Sequence, residues 1–285
     1  MIVWALFDSG NSCYKQAVET YFSEYFEIYA IGMDKEDRKG NKKNFISLNL
    51  ADYSPLFGEN FLFEKLDQLP KADIILASPP CESWSVASSL AGGNLCWQVE
   101  SINTLFGTYI THNQFALRDF QSFNERYSED GDALIKPHWW RTIYNRINGE
   151  LCAYNLIRII EQYKPSIWVI ENPQSSRIWN YYKSIHSFNG IKNLAHYHAY
   201  DDNFPKKPTI FFSNILLPLK TKKESANVVI STKRTKGRRV IRNYNERSNI
   251  PLLLIKELLE ICLERLGEDG KKQEKQKTSE TSDEF

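Results

Sequence analysis

The chain opens with short apolar runs that alternate with stretches of helical spacing. IVWALF, residues 2–7, is a continuous apolar run ending in a Ser/Gly/Asn turn, the pattern of a buried strand. YKQAVETYFSEYF then repeats its apolar residues at roughly helical intervals. EIYAIGMD, ending at Asp34, and DIILASPP, starting at Asp73 and stopped by two prolines, predict two more buried strands. Further on, the helical pattern CAYNLIRIIEQY leads through Lys164 and Pro165 into SIWVIENP, another apolar strand stopped by a proline. Strand and helix alternating in this way predict an α/β fold of Rossmann-like type, with a mostly parallel sheet and helices on both faces.

Two regions break the rhythm. Residues 86–150 are aromatic and polar, carry the turn signals LAGGN and SEDGD, and are expected to form an insertion with some helix. Near the end, IPLLLIKELLEICLERL places Leu253, Leu254, Leu258, Ile261, Cys262 and Leu266 on one helical face. The expected organisation is a catalytic domain over 1–219, a basic segment over 220–248, a packed helix over 249–266 and a disordered tail over 267–285, which lacks aliphatic side chains to bury.

Composition adds little to this picture. With 42% hydrophobic residues in 285, the chain can bury the core of one good-sized domain. It has no apolar run long enough to span a bilayer and no basic, cleavable leader, so a cytoplasmic protein without membrane attachment is expected, as a monomer. Five cysteines form an odd set without a CxxC pair or a Cys/His cluster, which predicts neither a disulfide framework nor a metal site. Net charge is only +1, but Lys220 to Arg247 carries ten basic and two acidic side chains. Such a segment is either a solvated loop or a phosphate-binding face.

Ligands of open parallel sheets sit at the carboxyl ends of the strands, so the residues that follow each strand carry the functional signal. Phe7, Asp8, Ser9, Gly10 and Asn11 form a tight turn able to bring backbone amides to a ligand. Asp34 ends the next strand, where an acid suits ribose hydroxyls; a helix N-cap is its ordinary role. Ser78-Pro79-Pro80-Cys81-Glu82-Ser83 is more informative, because two prolines fix the backbone and present a cysteine at the loop tip, where it can act as a nucleophile. Glu171-Asn172-Pro173 begins where SIWVI ends, which projects a carboxylate toward the same cleft and lets it hold a proton.

SPPCESWS together with WVIENP resembles the Pro-Cys and Glu-Asn motifs of the DNA cytosine-5 methyltransferases, and particularly their short phage and mobile-element branch. The order LFDSGNS, GMD, ASPPC, IENP, then Lys207-Pro208-Thr209 with Asn214, is also similar to that branch and covers most of residues 1–220. The resemblance implies S-adenosylmethionine as methyl donor, held by Phe7, Asp8, Ser9, Gly10, Asn11, Asp34, Asp52 and Pro80. It implies Cys81 adding to C6 of a flipped cytosine in double-stranded DNA while Glu171 acts at N3, with no metal. Ser78, Pro79, Ser83, Asn172, Lys207 and Thr209 would then face the substrate.

The chain departs from the family at Ser9 and Asn11, which stand where glycines are usual, and it lacks the family's arginine-rich active-site segment, leaving Lys206 or Lys207 to supply that charge. Trp84, Trp97, Trp139 and Trp140 are candidates for stacking on bases, with core packing as their ordinary use. Three alternatives stay open at this point. They are an amino-methyltransferase, against which Cys81 argues; a methyltransferase-fold nucleic-acid-binding protein with impaired catalysis; and RNA in place of DNA.

Overall fold

A computed structural model of the chain describes residues 1–8, 12–33, 43–85, 96–104, 107–129, 138–230, 239–241, 246 and 248–280. Ser9, Gly10, Asn11 and Asp34 lie outside these residues. In chain order the elements are β1 (Ile2–Leu6), α1 (Cys13–Tyr21), β2 (Glu27–Gly32), β3 (Phe45–Ser47), α2 (Phe61–Leu66), β4 (Ile74–Ala77), β5 (Trp97–Thr104), β6 (Gly107–Leu117) and α3 (Phe120–Glu129). They continue with α4 (Trp139–Tyr163), β7 (Ile167–Pro173), α5 (Ile178–His186), β8 (Ile191–His196), β9 (Pro208–Ser213), β10 (Val228–Ile230), β11 (Arg239–Ile241) and α6 (Leu252–Glu280).

Seven strands form one sheet in the order β3-β2-β1-β4-β7-β9-β8. The first five are parallel to their neighbours, while β9 runs antiparallel to both β7 and β8, so the sheet is mixed but mostly parallel. Parallel strands covered on both faces carry continuous apolar runs. Accordingly, Val3 to Leu6 and Ile74 to Ala77 are all fully buried. Alternate residues feed two cores. Trp4, Leu6, Ile75 and Ala77 face α2, α4 and α5, while Val3, Ala5, Ile74 and Leu76 face α1 and α6. The chain winds outward from β1 in one direction and from β4 in the other, which makes the β1/β4 boundary the topological switch point where such sheets open a ligand crevice.

Two segments differ in their bounds from the expectation. The insertion with some helix expected over 86–150 contains, among the described residues, the antiparallel hairpin of β5 and β6 and the helix α3, but its far bound falls inside α4, which runs unbroken from Trp139 to Tyr163, so residues 139–150 belong to a core helix. Its polar N-terminal half hid this, because Arg141, Asn145 and Asn148 are exposed between residues that pack. The tail is likewise helical as far as Glu280. The sequence past Leu266 is rich in Lys, Gln and Glu, which have high intrinsic helix propensity. In the packed part Leu254, Ile255, Leu258, Leu259 and Cys262 are fully buried, whereas Leu253 is exposed.

Candidate active site

The carboxyl ends of β1, β2, β4 and β7 converge beside the switch point. Phe7 leaves β1 with φ 61°, a left-handed conformation uncommon outside glycine, and the Asp8 amide returns to bond the Ile31 carbonyl at 3.1 Å. That return brings the Asp8 backbone against Gly32. A Cβ on Gly32 would stand 2.3 Å from the Asp8 carbonyl oxygen, so no larger residue fits the crossing.

An open cavity of about 240 Å³ lies at these strand ends. Phe7, Asp8, Gly32 and Met33 from β1 and β2, Leu48, Asn49 and Leu50 after β3, Pro80 from the next loop, and Asn148 and Cys152 from α4 form its wall. Sequence reasoning found Phe7, Asp8 and Pro80. It missed the Leu48–Leu50 turn and the α4 residues, for which only the fold supplies the placement. Asp52 does not line the cavity. Its carboxylate accepts from the Ser54 hydroxyl at 2.6 Å and from the Ser54 amide at 3.1 Å, closing its own loop, and Asn49 takes the place at the wall.

The loop after β4 is held from several sides. Tyr14 and Ser78 share a hydroxyl hydrogen bond of 2.9 Å, Asn172 Nδ2 donates to the Pro79 carbonyl at 2.9 Å, and the Cys81 carbonyl accepts from the amides of Trp84 and Ser85. Pro79, Ser83, Asn172 and Thr209, expected to face the substrate, are buried, and Asn172 braces this loop. Ser83 lies under Gly149 of α4, and the Thr209 hydroxyl donates to the Lys207 carbonyl at 3.0 Å. Trp84 and Trp97 are also core residues, stacked with centroids 5.3 Å apart. Trp139 packs on Phe123, while Trp140 is exposed.

Cys81 remains half-buried at the loop tip, and Glu171 sits at the end of the adjacent strand. Burial, followed by the charges of Glu82 and Glu171, pushes the Cys81 thiol up to about 11, with Lys207 pulling the other way. Glu171 is 7% exposed and accepts a 2.9 Å hydrogen bond at Oε1 from Tyr197, a residue that sequence reasoning did not select. Lys207 carries its ammonium 4.7 Å from the Tyr197 ring centroid and has φ 27°. Burial and then the Glu171 charge raise both the Tyr14 and the Tyr197 phenols well above the usual 10. Cys81, Glu171, Lys207, Tyr14 and Tyr197 thus share one electrostatic environment. Two of the positive-φ residues, Phe7 and Lys207, 200 positions apart in sequence, fall at this cleft.

The basic segment is described in part. Lys220 pairs with Glu257 at 2.7 Å, Lys222 with Asp202 at 3.4 Å, and Arg239 with Glu246. Among the described residues no cluster of His, Cys, Asp and Glu has the arrangement of a metal site, and no helix is long and apolar enough to cross a membrane. All five cysteines are free thiols. No protein-family model matches the chain, and no curated protein does so either.

Proposed function

We propose that the protein is an S-adenosylmethionine-dependent cytosine-5 methyltransferase of double-stranded DNA, with Cys81 as nucleophile and Glu171 as the group acting at N3. The observation that carries this reading is the convergence of Cys81 and Glu171, from a loop and a strand distant in sequence, into one cleft where the Glu171 charge acts on the Cys81 thiol. The sequence resemblance supplies the chemistry. The open crevice beside the β1/β4 switch point supplies a place for the donor next to the nucleophile.

The residues of the cavity suit a nucleoside with a zwitterionic tail. Leu48, Leu50 and Pro80 offer apolar surface to a planar base, Asn49 and Asn148 offer amide groups, and the Asp8 carboxylate can meet an ammonium. When bound, S-adenosylmethionine supplies an electrophilic methyl group. The protein's own contribution is to activate and hold the acceptor. Cys81 must first lose its proton to water at the open side of the cleft, a step that Lys207 favours and Glu171 opposes while ionised. A protonated Glu171 removes that opposition and offers a hydrogen bond to N3, so the state that serves one residue serves the other. The Cys81 sulfur then adds to C6 of a base that must be flipped out, because C6 is not accessible within a stacked duplex.

The raised thiol favours one competing reading, a nucleic-acid-binding protein of this fold with little catalysis. Incubation with methyl-labelled donor and mixed-sequence duplex DNA or RNA, comparing wild type with Cys81→Ala and identifying the modified base, separates the possibilities. Cys81-dependent 5-methylcytosine in DNA is the expected result. Label in RNA alone would move the substrate to RNA, and equal transfer by Cys81→Ala would remove the mechanism. Nucleic-acid binding without transfer would favour the competing reading.

A further inference from the structure

Tyr197 is fully buried, follows β8 directly, and points its phenol at the carboxylate proposed to work on the base. A buried phenol needs a partner for its hydrogen, and Glu171 Oε1 at 2.9 Å is that partner. The neighbouring Thr209 hydroxyl spends its own hydrogen on the Lys207 carbonyl at 3.0 Å, and the Tyr197 hydroxyl hydrogen goes to Oε1. The Lys207 ammonium over the ring withdraws electron density from the phenol and strengthens it as a donor.

We infer that Tyr197 is a positioning residue that decides which oxygen of Glu171 carries the proton. This rests on the reading of Glu171 as the group at N3. With Oε1 committed as an acceptor, a proton on the carboxyl sits on Oε2, and the carboxyl plane is fixed by the same bond. No other hydrogen bond to Glu171 is formed among the described residues, so Oε2 is the atom presented to a ligand. As the Cys81 sulfur forms its bond to C6, the C5–C6 π pair moves into the C5–C4 bond and the C4–N3 π pair moves onto N3. N3 takes the proton from Oε2, and the resulting carboxylate keeps the Tyr197 hydrogen bond at Oε1. Tyr197 contributes no atom to the reaction. It keeps the proton on the oxygen that faces the base, where misplacement by about 1 Å costs on the order of a hundredfold in rate.

The test is a double-mutant cycle of Tyr197→Phe and Glu171→Gln in the full-length protein. Phenylalanine retains the ring under Lys207 and removes only the hydroxyl. Tyr197→Phe is expected to lower kcat by roughly 10- to 100-fold, with KM for DNA and for the methyl donor within about twofold. In the Glu171→Gln background the same substitution is expected to change kcat by less than about twofold, because the group through which it acts is gone. Equal losses in both backgrounds, or a loss confined to KM, would overturn the inference. If wild type transfers no methyl group, the proposed function fails, and the pairing is then read by the same cycle in urea denaturation. Non-additive midpoints would support the Tyr197–Glu171 pairing, and additive ones would refute it.

Discussion

The state of the Cys81 thiol can be measured without any knowledge of substrate. Moving it from an ordinary 9.0 to about 11 leaves, at pH 8, roughly one-hundredth of the thiolate that an unperturbed cysteine would present. A more basic thiolate is also a better nucleophile, by about eightfold for such a change at a Brønsted slope near 0.45. Iodoacetamide should therefore alkylate Cys81 about tenfold more slowly at pH 8 than a free cysteine of equal access. The midpoint of the rate against pH should fall near 11. Brief alkylation pulses, digestion and mass spectrometry separate Cys81 from the other half-buried thiol, Cys13, while circular dichroism at each pH confirms that the protein is folded. Glu82→Gln should lower the midpoint and speed the reaction a few-fold. The effect should shrink in high salt, because Glu82 is exposed, whereas the acceleration in Glu171→Gln should persist. Lys207→Met should slow alkylation. A wild-type midpoint at or below 9, or a Glu82→Gln variant that reacts more slowly, would falsify the electrostatic account of the cleft.

Two further outcomes follow from buried groups. Asn172→Ala removes the donor to the Pro79 carbonyl and should cost about 1–3 kcal/mol in urea denaturation at unchanged m, an effect under about 0.5 kcal/mol counting against its bracing role. Cys96, Cys152 and Cys262 are each raised by burial to about 12 from 9.0. Their folded values exceed the unfolded ones, so their contribution to stability is complete below pH 9 and is lost as pH rises toward 12. The urea midpoint should fall steadily from pH 9 upward, and a midpoint unchanged to pH 10.5 would contradict the burial of these thiols.

Much of the sheet could be read from the chain because parallel strands covered on both faces must be apolar throughout, and IVWAL, IILA and IWVI are. Two of their ends could be read for the same reason, since Asp8 and Ser78 are where β1 and β4 leave the core, whereas β7 carries Glu171 and Asn172 buried within the strand as far as Pro173. What could not be read depends on pairing across the sheet. β8 and β9 alternate polar and apolar residues less clearly, and the antiparallel course of β9 is what brings Tyr197 and Lys207 over Glu171. Asp52 and Asn49 are both polar residues after β3, and only the loop path decides which of them reaches the cavity. The hydrogen bonds of Asn172 and Thr209 to backbone carbonyls were hidden similarly, since a polar residue in a motif can serve nearby backbone as readily as a ligand.

Gly149 gives the helix α4 a second consequence. A Cβ at this position would meet the Ser83 hydroxyl at 1.9 Å and the Trp84 indole nitrogen at 3.2 Å, so the helix rests directly on the turn that carries Cys81. Its neighbours Asn148 and Cys152 wall the cavity on the same stretch of helix. The wall of the cavity and the turn that carries Cys81 therefore share one stretch of helix. A ligand that shifted this helix would reach the turn, and such a coupling would be reciprocal, so engaging the turn would tighten the ligand by the same factor.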